Sequence, residues 1–130
     1  MNFKGIIIEE SLKDKSVLKD LKILKTKIER VTPNHKTSWL TKWTLHTVEI
    51  PNGREEEIGN KISNALDTSH SSWYCDFGDD NFHYIIFQDK VFKIDRNRPE
   101  EYKAAISHGI SLGIPEYQVD FAPGIKEWER

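Results

Sequence analysis

The 130-residue chain has one cysteine, Cys75, so it can close no disulfide on itself. Cys75 sits inside an apolar run, which points to a buried thiol in a reducing compartment rather than a nucleophile. Long hydrophobic runs are lacking too. Ile6-Ile7-Ile8 meets Glu9-Glu10 at once, too short a stretch for a membrane span or the apolar part of a signal peptide. A cytoplasmic protein without membrane association is expected. The five histidines, His35, His46, His70, His83 and His108, stand apart with no H-x-x-x-H or C-x-x-C spacing to hold a metal. Asp79-Asp80-Asn81 lacks the regular oxygen ligands and closing Glu of a calcium loop. With no G-x-S-x-G and no phosphate-binding loop, neither a hydrolase signature nor a nucleotide site is present, and no metal or cofactor is expected. Repeats, low-complexity segments and linkers are absent, so residues 1–130 read as one α+β domain.

What the chain has is a concentration of aromatics. Trp73, Tyr74, Phe77, Phe82, Tyr84, Phe87 and Phe92 are half of its aromatic residues, which places the deepest burial in this stretch. Turn chemistry at Gly78-Asp79-Asp80-Asn81 and at Gln88-Asp89-Lys90 cuts it into a three-stranded meander. A four-residue first loop sets Phe77 opposite Phe82, Asp76 opposite His83 and Cys75 opposite Tyr84. One face then holds Trp73, Cys75, Phe77, Phe82, Tyr84, Ile86, Val91 and Lys93, and the other holds Tyr74, Asp76, His83, Ile85, Phe87, Phe92 and Ile94. Both faces are apolar, so both need cover from helix, from the C-terminal segment or from a second subunit.

Around the meander, Phe3 to Glu9 reads as a central strand buried on both faces. Ser11 is an N-cap for a short helix over Leu12 to Leu21 with Leu12, Val17, Leu18 and Leu21 inward. Val17, Leu21, Leu24, Ile28 and Val31 form a helical stripe up to Pro33, yet Lys42 to Ile50 is rich in β-formers and needs a neighbour, so Ile23 to Thr32 is read as its partner strand. Arg54 to Leu66 is the clearest helix, with Ile58, Ile62, Ala65 and Leu66 on one stripe and Glu55, Glu56 and Glu57 in its first turn. Pro99 opens a last helix with Tyr102, Ala105 and Ile106 inward and Gly109 as its C-cap; Tyr117 to Phe121 is a short edge strand or an extended cover. The order β-α-β-β-α-β matches a ferredoxin-like plan with a hairpin and a helix added, and predicts an antiparallel sheet in the order 2-3-1-4-5-6.

Three sets of residues carry candidate chemistry. Asp76 facing His83 is the sharpest, because a carboxylate on an imidazole orients the ring and raises its basicity, as a general base requires. The same pair also reads as an ordinary cross-strand polar contact. His46, Tyr74 and Tyr84 join these two as candidate ligand contacts, with His46 either a hydrogen-bonded core histidine or a cleft wall. His35, Lys36, Trp39, Lys42 and Trp43 mix positive charge with flat aromatic surface around one loop, the chemistry of stacking on single-stranded bases. Residues 1–46 carry ten Lys/Arg against five Asp/Glu, while residues 47–130 carry nine against sixteen; the acidic total weighs against nucleic acid. The asymmetry is an ordinary lysine face, a surface for an anionic partner or a contact between subunits.

The runs Trp43 to Pro51, Ser72-Trp73-Tyr74, His83 to Phe87 and Gly113 to Phe121 resemble an uncharacterised family of small prokaryotic proteins across nearly the whole chain. The resemblance implies no activity and carries over no catalytic residue. The expectation is a non-catalytic module that binds a small molecule or a protein, with self-association as one form of it. A small enzyme using Asp76 and His83, and single-stranded nucleic-acid binding through Lys36 to Trp43, are the alternatives.

Overall fold

A computed structural model describes residues 2–33, 37–70, 72–119 and 121. Six strands, β1 (Phe3–Ile8), β2 (Lys22–Arg30), β3 (Lys42–Ile50), β4 (Tyr74–Gly78), β5 (Phe82–Phe87) and β6 (Lys90–Asp95), form one antiparallel sheet. Their order is β2-β3-β1-β4-β5-β6, as the sequence predicts. Helix α1 (Glu55–Ala65) connects β3 to β4, and α2 (Tyr102–Ser111) follows β6 after a 3₁₀ turn at Pro99–Glu101. Among the described residues no helix is long and apolar enough to cross a membrane.

The two faces of the meander have separate cores. On the first, Ile58 and Ile62 of α1, with Leu66 just after it, bury Phe3, Ile7, Val48, Phe77, Tyr84 and Ile86. On the second, Tyr102 and Ala105 of α2, together with Ile114, Val119 and Phe121, bury Ile85, Phe87 and Ile94, and the Phe121 ring meets Tyr74 and His83 edge to face. The chain itself supplies both covers, which removes the meander as a reason to call in a second subunit. Tyr117 to Phe121 lies over the sheet as a cover with a 3₁₀ turn at Glu116–Gln118, and Asp120 falls outside the described residues.

The first hairpin is tighter than a four-residue loop. Asp79 N–H donates to the Phe82 carbonyl (3.0 Å), and Asp79 Oδ1 accepts from the Asn81 and Phe82 amides (2.8 and 2.7 Å), leaving two residues in the turn. Phe77 therefore pairs with Tyr84, Cys75 with Ile86, and Asp76 with Ile85 rather than with His83. A slip of two keeps every side chain on its predicted face, because strand periodicity is itself two.

The segment after β1 is not the α-helix that Leu12 to Leu21 suggests, and Ser11 is not its cap. Ser11 Oγ–H donates to the Ile8 carbonyl (2.6 Å), closing the 3₁₀ turn Glu9–Ser11. Lys13 N–H then bonds to the Ala65 carbonyl (2.8 Å) and Asp67 N–H to the Ser11 carbonyl (2.7 Å), so this backbone pairs with the end of α1 and is lost to a helix. A second 3₁₀ turn, Lys15–Asp20, follows with Asp14 accepting from Ser16 N–H (3.0 Å). Leu12, Val17 and Leu21 still point inward.

Gly109 does not end α2 either. It lies within the helix against Phe87 and Val119, where a Cβ would come within 2.8 Å of Val119 Cγ1. The helix closes two bonds later: Gly113 N–H to the Ile110 carbonyl (3.0 Å) and Ile114 N–H to the Gly109 carbonyl (3.1 Å), with Gly113 at φ 88. That is a Schellman end with Ile114 as its buried apolar residue.

The Arg96–Arg98 link returns α2 onto β4, β5 and β6, and the second face of β1, β3 and β2 stays open. β1 is thus central yet not buried on both sides: Phe3, Gly5 and Ile7 are buried, while Lys4, Ile6 and Ile8 are half-exposed.

Candidate functional site: a groove on the open half of the sheet

The open half-face is the floor of a groove of about 830 Å³. Register lays out its rows. Lys25 pairs with Thr47, Thr47 with Ile6 and Ile6 with Asp76, a polar row from the edge strand inward. Lys27 pairs with Leu45 and Leu45 with Ile8, an apolar row beside it, and Glu29 pairs with Trp43.

A β-bulge decides which β2 residues face the groove. Ile23 pairs with Val48 and Lys25 with Thr47, so Leu24 is the extra residue. Without it, Leu24 and Thr26 would face the groove and Lys25 and Lys27 would turn away. The helix-like stripe in the sequence forms no buried side, since Leu24 and Ile28 are exposed, Ile28 at 64%.

Aromatic and aliphatic walls enclose the floor. Trp43 donates its indole N–H to Thr37 Oγ1 (2.9 Å) and meets Trp73 edge to face, with centroids 5.5 Å apart. Tyr74 stands beside Trp73, and the stretch from Leu112 to Pro115 after α2 forms the opposing wall.

Asp76 closes the inner end. Its Oδ2 lies 2.9 Å from His83 Nε2, and His83 Nδ1 lies 2.9 Å from the Tyr102 hydroxyl. The Asp76–His83 contact is diagonal, since His83 pairs with Gly78. Asp76 borders the groove, whereas His83 is fully buried between sheet and α2 and does not line it. His83 points its two nitrogens at Asp76 and the Tyr102 hydroxyl and presents neither to the groove. The three side chains tie α2 to β4 and β5.

The candidate ligand contacts therefore separate. Tyr74 and Asp76 reach the groove; Tyr84 and His46 lie on the other face of the sheet. Tyr84 stacks on Phe77 at 5.0 Å and donates its hydroxyl to Glu56 Oε1 (3.0 Å). Burial, and then the Glu56 carboxylate, push that hydroxyl's pKa up. His46 Nδ1 meets Thr26 Oγ1 (2.8 Å) and Nε2 meets Glu9 Oε1 (3.1 Å), while Glu10 accepts from the Thr44 amide (2.6 Å). It is a hydrogen-bonded histidine that pins β2 and β3 to the first 3₁₀ turn.

The basic-aromatic loop is divided as well. His35 and Lys36 lie outside the described residues. Trp39 stacks on His70 with centroids 4.7 Å apart, and Lys42 points to the face opposite Trp43. Among the described residues no group of three His, Cys, Asp or Glu is placed to hold a metal ion.

Sequence reading missed Lys25, Lys27, Glu29, Leu45, Thr47, Ile6 and Ile8 as site residues. The alternation Lys25-Thr26-Lys27-Ile28-Glu29 was the available signal, since period two puts its three charges on one face. Comparison with protein-family models, with curated proteins and with solved structures finds no match.

Proposed function

We propose that this protein is a non-catalytic binding module that holds a small, elongated, mainly apolar molecule in the groove over β2, β3 and β1. The observation that carries this reading is a sheet wrapped on both faces at one half and left open at the other, with Trp43, Trp73, Tyr74 and Ile114 standing around a floor whose Leu45–Ile8 row is apolar. About 830 Å³ lies within the roughly 300–1,000 Å³ usual for small-molecule sites. Catalysis by the Asp76–His83 pair is disfavoured because His83 is fully buried and does not line the groove. A lone buried thiol suits a reducing, cytoplasmic setting.

The test is titration with the uncharged fluorophore N-phenyl-1-naphthylamine. Wild type is expected to give saturable enhancement with one site per chain. Leu45→Glu, which puts a carboxylate on the floor, should abolish it, and Ile110→Glu, at an exposed position on α2, should not. No saturable binding by wild type, or equal binding by Leu45→Glu, would falsify the reading.

A further inference from the structure

The groove's charges are separated by sign, with lysines at its β2 edge and a carboxylate at its inner end. Lys25 and Lys27 sit two residues apart on the groove side of β2, roughly 7 Å from one another along the strand. Neither ammonium has a carboxylate partner among the described residues. Glu29 is the next groove-facing residue of β2. The far end holds the opposite sign: Asp76 lies three strands inward from Lys25, about 14 Å at the usual inter-strand spacing. Between the ends, Leu45 and Ile8 offer an apolar track from Lys27 toward the Trp73 and Ile114 walls.

We propose that the ligand is a monocarboxylate with an extended apolar body, its carboxylate seated between Lys25 and Lys27 beside the Thr47 hydroxyl and its tail laid over Leu45 and Ile8. This rests on the groove being a small-molecule site. Two lysines without a carboxylate partner at one end, with an apolar track leading away from them, suit an anionic head on an apolar body. A dianionic phosphate would find no arginine fork among the groove-lining residues. Asp76 sets the direction, because an anion at the inner end would meet a like charge while one at the β2 edge meets two cations. The apolar body gains from leaving water, and the carboxylate keeps partial hydration at the rim, where Lys25 and Lys27 are exposed.

The experiment is displacement of N-phenyl-1-naphthylamine by three decyl compounds below their micelle concentrations: decanoate, decanol and decyltrimethylammonium. Decanoate should displace the fluorophore at a concentration about tenfold or more below the other two, and added salt should narrow that gap. Charge reversal at both lysines, Lys25→Glu with Lys27→Glu, should abolish or invert the preference while fluorophore binding persists. Lys103→Glu, an exposed lysine of α2, should change nothing. Equal affinities for decanoate and decyltrimethylammonium, or an unchanged preference in the double variant, overturn the carboxylate assignment with the groove intact. Failure of wild type to bind the fluorophore overturns the groove itself, so the two failures are told apart.

Discussion

The two halves of this sheet are continuous through the pairing of β1 with β4, yet they are used in different ways. In the β4-β5-β6 half, Phe77, Tyr84 and Ile86 meet α1 on one side, and Ile85, Phe87 and Ile94 meet α2 on the other. In the β2-β3-β1 half, the α1 side is filled over β1 and β3 but not over β2, and the second face carries Lys25, Lys27, Thr47 and half-exposed Ile6, Ile8 and Leu45. The contrast teaches that a strand's inward residues need not form core. With no helix above them they remain a floor, and whatever covers that floor contributes the burial.

The two halves should respond differently to loss of apolar bulk. Phe87→Ala, in the wrapped half, empties space between α2 and the sheet next to Gly109, and should destabilise by about 3–5 kcal/mol in denaturant titration. A cost as small as a surface substitution would break the comparison by showing that the α2 side is not a core.

Cys75 offers the next effect in size. Burial, then the neighbouring Asp76 charge, pushes its thiol well above the ordinary range. The folded thiol keeps its proton at a pH where the unfolded one loses it, so the folded state binds more protons there and stability falls as pH rises. The contribution is fully present below about pH 8.5 and declines above it at about 1.4 kcal/mol per pH unit. Between pH 8.5 and 9.5, Cys75→Ala should show a shallower decline than wild type, and the native thiol should resist alkylation until the protein is unfolded. Equal slopes would place the thiol in solvent and argue against the two-sided wrapping.

The smallest expected effect lies in the open half. Leu45→Ala should cost about 1 kcal/mol or less in stability, because Leu45 is only half-buried, while weakening fluorophore binding measurably. A loss as large as that of Phe87→Ala would mean the floor already works as core.

Much of this architecture was legible in the residues. The partition of the meander survived an error in the length of its first loop, because the Asp79 turn moved the pairing by an even number of residues. β2 was legible from the need of β3 for a partner. The site was not. Tyr84 and His46 were grouped with Tyr74 and Asp76 as ligand contacts, although they belong to the opposite side of the sheet. The groove's own lysines passed as part of a charged face, since placing them requires the bulge at Leu24, and one extra residue inverts the faces of everything that follows. Ser11 and Gly109 suit helix ends by type, but the first was taken up by pairing with the end of α1 and the second by close packing on Phe87.

By itself the sequence determined the strands, their order, the two apolar sides of the aromatic stretch and the helix from Arg54 onward, because alternation and helical spacing act over a few neighbouring residues. Tertiary structure alone decided which half of the sheet would stay uncovered. α2 follows β6 after a short link and spans only about 15 Å, so it lands on the strands nearest that edge and cannot reach β3. The open floor is what remains beyond its reach, and no local pattern in β1, β2 or β3 records how far a helix that starts only at Tyr102 will extend.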